Sequence, residues 1–110
     1  MNVYDKAYEL AKSFEEDEQI IEYKQITEEL KKNTELEKKI TDFRTKRTAF
    51  QIETIQNGKI DEKKEQEIKK IYQELLAEEI AAKFFASELK VNVLVSDIQK
   101  IIFKDLKDLL

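Results

Sequence analysis

The sequence predicts an all-α protein, a helical bundle of about five amphipathic helices with long third and C-terminal members. Ala, Glu, Lys, Leu and Arg make up 54 of the 110 residues, a composition typical of long helices. The chain contains one Gly and no Pro, so few residues interrupt a helix. Apolar residues also recur at intervals of three and four, and the β-branched stretch 91–95 lies inside such a pattern.

The first two helices are predicted from apolar spacing on either side of an acidic run. A short amphipathic helix opens the chain, with its apolar stripe at Val3, Ala7, Leu10, Ala11 and Phe14. Asp17, in the acidic run 15–18 (EEDE), is expected to cap the second helix by accepting hydrogen bonds from free backbone N–H groups. The second helix then carries Ile20, Ile21, Tyr23, Ile26 and Leu30, and it is expected to end near Asn33.

A capping box predicts the start of the third helix. Thr34 stands at the expected cap and Glu37 three residues later, the spacing that satisfies two backbone donors reciprocally. The helix should end at Asn57-Gly58, because glycine readily adopts the left-handed conformation that closes a helix. Its apolar stripe is Leu36, Ile40, Phe43, Phe50 and Ile55.

Asp61 is expected to cap the fourth helix, which has a clear apolar face. That face consists of Ile68, Ile71, Tyr72, Leu75 and Leu76. The helical pattern resumes at Ile80 and is predicted to continue to Leu110. No strong helix breaker separates the two segments, so a kink or short turn is placed near 77–79. A last helix of about 30 residues would extend roughly 45 Å.

The length of that last helix predicts a homodimer. A compact 100-residue domain has a radius of gyration of about 13 Å, too small to cover such a helix. Residues 1–110 are expected to form a single domain. Because the last helix is apolar on more than one side, a second copy of that domain is expected to cover it. An elongated monomer with the last two helices folded back as a hairpin is the alternative. The predicted core or dimer residues are Phe43, Phe50, Phe84, Phe85, Val91, Leu94, Val95, Ile98, Ile101 and Ile102.

The absence of two residue types excludes many activities. Without Cys or His the chain has no disulfide, thiol nucleophile, imidazole base or His-ligated metal. Its paired carboxylates lie in fully charged contexts, where ion pairs along solvated helix faces explain them. We therefore predict no enzyme activity, no catalytic residue, no metal site and no cofactor.

Charged residues divide the chain too finely for a membrane span. No uncharged run exceeds the six residues 91–96, whereas a transmembrane helix needs about 20. The polar face of 91–110 mixes aspartates with lysines, so core packing is favoured over binding to a membrane surface. We expect no membrane insertion and a cytoplasmic location.

The most basic stretch, 43–50, holds both arginines and supplies the candidate partner-binding residues Arg44, Lys46 and Arg47. Arginine forms bidentate contacts with phosphate or carboxylate groups, so RNA or an acidic protein could dock there. Independent binding of nucleic acid normally uses more phosphate contacts than this stretch offers. Direct binding of nucleic acid is therefore not expected, and pairing of both arginines with acidic residues within the bundle is the simpler interpretation.

Residues along nearly the whole chain carry a family resemblance. They include the opening stretch 2–10 (NVYDKAYEL), Glu18 and Lys24, then Ile40 with Phe43-Arg44, the Asn57-Gly58 turn and the tail 98–102 (IQKII). With these residues the chain resembles the YheA branch of the YlbF/YmcA/YheA family of small helical bacterial proteins. The resemblance rests on packing positions and includes no catalytic signature.

The resemblance implies a dimer-forming, cytoplasmic helical protein of Gram-positive bacteria. Better-known branches regulate competence, sporulation and biofilm formation within a multi-protein complex that influences RNA processing by membrane-anchored RNase Y. Members of that complex are associated with Fe–S clusters through cysteines, which this chain lacks. The lack of Cys excludes such a cluster here and leaves membership of the complex open.

Composition and resemblance together predict a non-enzymatic helical adaptor or regulatory protein that acts through protein–protein contacts. A link to bacterial developmental regulation or RNA processing follows from the resemblance alone. The alternative is an RNA- or DNA-associated factor that uses the basic patch Arg44–Arg47.

Overall fold

The structure is a computed structural model that describes residues 2–109, and it consists of five α-helices. They are α1 (Val3–Phe14), α2 (Glu18–Lys31), α3 (Thr34–Asn57), α4 (Glu62–Leu76) and α5 (Glu79–Phe103). No strand occurs between residues 2 and 109. The all-α prediction is confirmed, and α3 and α5, with 24 and 25 residues, are the longest of the five helices.

Side-chain caps begin α2 and α4, as predicted. Asp17 Oδ1 accepts from the backbone N–H groups of Gln19 and Ile20 at 2.9 and 3.1 Å. Asp61 Oδ1 likewise accepts from the N–H groups of Lys63 and Lys64 at 3.1 and 3.2 Å. Each cap satisfies backbone donors that have no partner within the helix.

The cap of α3 differs from the prediction. Asn33, and not Thr34, supplies the capping oxygen, since its Oδ1 accepts from the N–H of Leu36 at 3.1 Å. Asn caps at least as well as Thr, and with Asn33 as the cap Thr34 becomes the first helical residue. The predicted capping box between Thr34 and Glu37 is therefore wrong by one position.

Helix ends at both interior turns follow the sequence signals. Gly58 adopts a left-handed conformation, with φ of 70°, and its N–H donates to the carbonyl of Thr54 at 2.9 Å. After α4, the N–H groups of Ala77 and Glu78 donate to the carbonyls of Glu74 and Leu75 at 3.3 and 3.0 Å. Hydrogen bonds that span three residues are typical of the last turn of a helix, so α4 ends here. The predicted short turn near 77–79 is confirmed.

The end of α5 corrects the predicted length. The helix stops at Phe103, about 37 Å from its start, and residues 104–109 form turns. Every residue from Ile101 to Leu109 is exposed, so little packing within the described residues stabilises further helical turns. Leu110, the predicted end, lies outside the described residues.

The helices divide into two compact units. The terminal unit contains the chain up to Thr27 together with the chain from Phe84 onward, and the central unit contains Glu28–Lys83. Helices α2 and α5 each contribute to both units. A single domain over 1–110 stays a prediction.

Each unit contains buried apolar residues. In the terminal unit Phe84 and Phe85 meet edge to face, with ring centroids 5.6 Å apart, and Tyr23 lies 5.7 Å from Phe84. In the central unit Phe43 stacks on Tyr72 at 5.5 Å between centroids, joining α3 to α4. The other buried apolar residues are Ile26 in the terminal unit and Leu30, Leu36, Ile40, Leu75 and Ala81 in the central unit.

Candidate protein-interaction surfaces

Helix α1 has an apolar stripe but none of its twelve residues is buried. Asn2 begins the helix, its Oδ1 accepting from the N–H of Tyr4 at 2.8 Å. Val3 is 80% exposed and Tyr8 75% exposed. An isolated helix of this length is marginal in water, because most helical stability in proteins comes from packing of the apolar face.

An apolar cleft of about 310 Å³ lies between α1 and the end of α5, within the terminal unit. Lys6 is the one charged residue in its wall, and the Lys6 ammonium pairs with Glu9 at 3.1 Å. The other lining residues are Val3, Ala7, Leu10, Ala11, Phe14 and Ile102.

The second half of α5 also leaves apolar side chains uncovered, since no residue from Glu88 to Phe103 is buried. Of the residues predicted for a core or dimer interface, Val91, Leu94 and Ile98 are half-buried. Val95, Ile102 and, most of all, Ile101 at 73% are exposed. We call the apolar stripe of α1, the flanking Tyr8 and these α5 residues together the terminal apolar surface.

The remaining predicted core residues lie closer to the interior. Phe43, Phe84 and Phe85 are buried, and Phe50 is half-buried. Near Phe84, the hydroxyl of Tyr23 donates to the Glu88 carboxylate at 3.5 Å, a long bond between α2 and α5 within the terminal unit.

The predicted basic patch does not form one surface. Arg44 and Arg47 are half-buried and three residues apart, so they share one side of α3. Lys46 is exposed and two residues beyond Arg44, which turns it about 200° around the helix. The Arg47 guanidinium lies 5.2 Å from the centre of the Phe43 ring, a cation–π contact. The backbone of a nucleic acid lying along α3 would therefore meet few of these cations at once.

A groove runs between α3 and α4 in the central unit, and we call it the α3/α4 groove. Two adjoining cavities of about 310 and 250 Å³ form it, and Lys46 and Ile71 line both. The first is lined by Leu36, Lys39, Asp42, Phe43, Lys46, Ile71, Glu74, Leu75 and Glu78. The second is lined by Lys46, Ala49, Phe50, Glu53, Lys64, Glu67, Ile68 and Ile71. Apolar side chains therefore lie along the middle of the groove, and charged side chains lie along its two sides.

An ion pair crosses from α4 to α3 at one end of this groove. Lys64 Nζ lies 2.8 Å from each carboxylate oxygen of Glu53. The pKa of Lys64 is raised above the ordinary 10.5. The hydrogen bond to Glu53 is the largest cause, and the negative charge of Glu53 is the second. The two helices are thus joined by charge as well as by the stacking of Phe43 on Tyr72.

Among residues 2–109, no group of three or more Asp or Glu residues is arranged to hold a metal ion. Within the same residues, every helix is too short or too polar to cross a bilayer.

Sequence reasoning missed the α3/α4 groove because its charges come from two segments. Lys39 and Lys46 lie far from Glu74 and Glu78 in the sequence, and the local pattern of charges places Glu78 on a solvated helix face. The cation–π pair had a detectable signal, since Phe43 and Arg47 are four residues apart on one helix.

Comparison with known families matches residues 3–107 to one family, described as Control of competence regulator ComK, YlbF/YmcA. The chain belongs to the YlbF/YmcA family. This membership confirms the predicted resemblance, and the description links the family to regulation of competence. No solved structure matches the chain.

Several bacterial proteins are similar to this chain over nearly their whole length. A UPF0342 protein of Alkalihalophilus pseudofirmus is 30% identical over 98% of this chain and 92% of its own. A UPF0342 protein of Caldicellulosiruptor saccharolyticus is 28% identical over 97% of this chain and 91% of its own. One from Bacillus cereus is 27% identical, with 98% and 92% covered.

Proposed function

We propose that this YlbF/YmcA family protein is a non-enzymatic regulatory adaptor that acts through protein–protein contacts. The observation that carries the proposal is α1, an amphipathic helix with no buried residue. Contiguous exposed apolar surface on a protein marks an interaction site, because water contact with it is unfavourable. The family's link to control of ComK supports a regulatory role.

The terminal apolar surface supports self-association as a homodimer. It joins a cleft lined by Val3, Leu10 and Phe14 to exposed apolar residues of α5, among them Ile101 and Ile102. A twofold dimer uses the same patch on both copies, so a self-complementary apolar surface suits it. The second copy would supply the packing that α1 lacks within its own chain.

Analytical ultracentrifugation at micromolar concentration tests the dimer. We expect the wild-type chain to sediment as a dimer and the Tyr8→Glu/Ile101→Glu variant as a monomer, because charge on this surface opposes its burial. Lys12→Glu/Lys100→Glu is the matched control, with exposed substitutions on the same two helices, and it should remain a dimer. A wild-type monomer at every concentration would contradict the homodimer.

Affinity purification from the native cell tests the adaptor role. We expect the wild-type protein to recover specific partner proteins in addition to its own copies. Recovery of self-associated chain alone would count against an adaptor. A turnover reaction catalysed by the purified protein would contradict the non-enzymatic assignment.

A further inference from the structure

We propose that the α3/α4 groove binds an amphipathic helix of a different protein, with carboxylates along one flank of that helix and cations along the other. This inference rests on the proposed function, since it names a partner class for a protein that acts through contacts. It concerns the central unit and does not use the terminal apolar surface.

The groove has the apolar floor that a docked helix requires. Phe43 and Leu75 are buried at its base and Ile71 is half-buried between its two cavities. An amphipathic helix binds such a groove by inserting apolar side chains from successive turns. The two cavities adjoin at Lys46 and Ile71, and their α3 lining runs from Leu36 to Glu53, about 26 Å along the helix, so more than one turn of a partner can lie there.

Charges of opposite sign predominate on the two sides of the groove. Apart from the Lys64–Glu53 pair, the α3 side carries two lysines and one aspartate, and the charged residues of the α4 side are all glutamates. Lys39 and Lys46 lie seven residues apart on α3, about 10 Å along its axis. On the α4 side, Glu74 and Glu78 line the first cavity and Glu67 lines the second. Carboxylates on one flank of a partner helix can therefore meet the lysines, while cations on its other flank meet the glutamates.

These charges are available to a partner. Within residues 2–109, Lys46, Glu74 and Glu78 form no ion pair. Lys39 has a weak partner in Glu35, at 3.8 Å along the same helix with both side chains well exposed. Asp42 lies between the two lysines, so the partner residue opposite it should be neutral or cationic.

The chain's own exposed helices do not carry this charge arrangement. Tyr4 and Tyr8, which are uncharged aromatic residues, flank one side of the α1 stripe. Near the end of α5, Asp97 and Lys100 lie three residues apart and so share one side of the helix. Neither helix has acidic residues on one flank and basic residues on the other, so a different protein suits the groove better than a second copy.

Two synthetic helical peptides of identical composition test the groove. Both carry a leucine stripe; one places all Glu on one flank and all Lys on the other, and the second alternates Glu and Lys on both flanks. We expect the first peptide to bind the full-length protein about tenfold more tightly by fluorescence anisotropy, the gain from several exposed ion pairs. That preference should shrink at high ionic strength, because salt screens exposed charges.

Charge reversal on one side of the groove completes the test. The Glu74→Lys/Glu78→Lys variant should lose the preference between the peptides, since the α4 side of the first cavity then carries cations, as the lysines of the α3 side already do. Glu15→Lys/Glu16→Lys, with the same charge change in the turn after α1, should keep it. Equal affinity of the wild-type protein for both peptides, absence of binding, or a preference retained in the groove variant would overturn the inference.

The proposed function is tested separately. A dimer sensitive to Tyr8→Glu/Ile101→Glu, together with recovery of specific native partners, would leave the adaptor role intact even where both peptides fail to bind. Failure of the peptides to bind would then contradict only the proposal that the α3/α4 groove binds a partner helix.

Discussion

Lys64 and Glu53 join two helices by a bidentate ion pair, with the Lys64 ammonium 2.8 Å from both carboxylate oxygens of Glu53. The residues are 11 positions apart and lie on opposite sides of the turn at Gly58. Five other ion pairs among the described residues lie within single helices, at spacings of three or four residues. This pair therefore reports on how α3 and α4 pack, which the local pairs do not.

Glu53→Gln should lower the melting temperature slightly at neutral pH, because the amide removes the charge that pairs with Lys64. Glu53 raises the pKa of Lys64 above 10.5 in the folded protein, so this stabilisation is complete below the unfolded pKa. It should disappear as the pH rises through the raised pKa of the folded state. Circular dichroism melts of both proteins from neutral pH to above that value measure the difference.

Glu29→Gln is the matched control for that experiment, since it removes an exposed carboxylate that has no cross-helix ion pair in the described residues. Its effect should not follow the titration of Lys64. A difference between wild type and Glu53→Gln that persists unchanged at the highest pH would contradict the assigned role of the pair.

Asn33→Ala should destabilise the protein by about 1 kcal/mol, because the Leu36 N–H loses its capping acceptor. Thr34→Ala should change the stability much less, since Thr34 is the first helical residue and its side chain is not the cap. Urea unfolding of both variants compares the two effects. A larger loss from Thr34→Ala would restore the capping box that the sequence predicts.

Gly58→Ala should cost about 1 kcal/mol, because an L-residue with a Cβ is strained in the left-handed conformation. No atom lies within 4 Å of the position of an added Cβ, so the expected cost comes from the backbone and not from a clash. Gly58→Asn should be milder, since Asn tolerates this conformation better than Ala. Equal urea-unfolding stabilities of the Ala and Asn variants would contradict this explanation.

The wild-type chain should show no salt-sensitive binding of RNA or DNA at low ionic strength. Arg44 and Arg47 share one side of α3 while Lys46 faces another, so a phosphate backbone meets few cations at once. Electrophoretic mobility shifts with single-stranded RNA measure this. Binding that weakens with salt and is lost in Arg44→Gln/Arg47→Gln would instead favour the nucleic-acid alternative.

Local signals predicted the helices well, as their boundaries show. Asp17, Gly58 and Asp61 act through backbone groups within four residues of themselves, so their roles are readable from neighbouring sequence. The cap at Asn33 was missed because Asn and Thr stand side by side and both can cap. The end of α5 was missed because apolar periodicity continues past Phe103, where the described residues are exposed and little packing stabilises a helix.

The candidate surfaces were predictable only in part. An apolar excess on the last helix was visible in the sequence, and the structure shows where it is exposed, at residues such as Ile101. The α3/α4 groove was not visible, because Lys46 and Glu74 are 28 positions apart and become neighbours only when the helices pack.

By itself the sequence determined the all-α class, the number of helices and the turns between them, because caps, glycine conformation and apolar periodicity act over a few residues. It also determined the absence of thiol and imidazole chemistry through the absence of Cys and His. Tertiary structure decided which apolar faces are covered, that Lys64 reaches Glu53, and that lysines and glutamates face one groove. Those relations depend on contacts between distant segments, which periodicity along one helix does not encode.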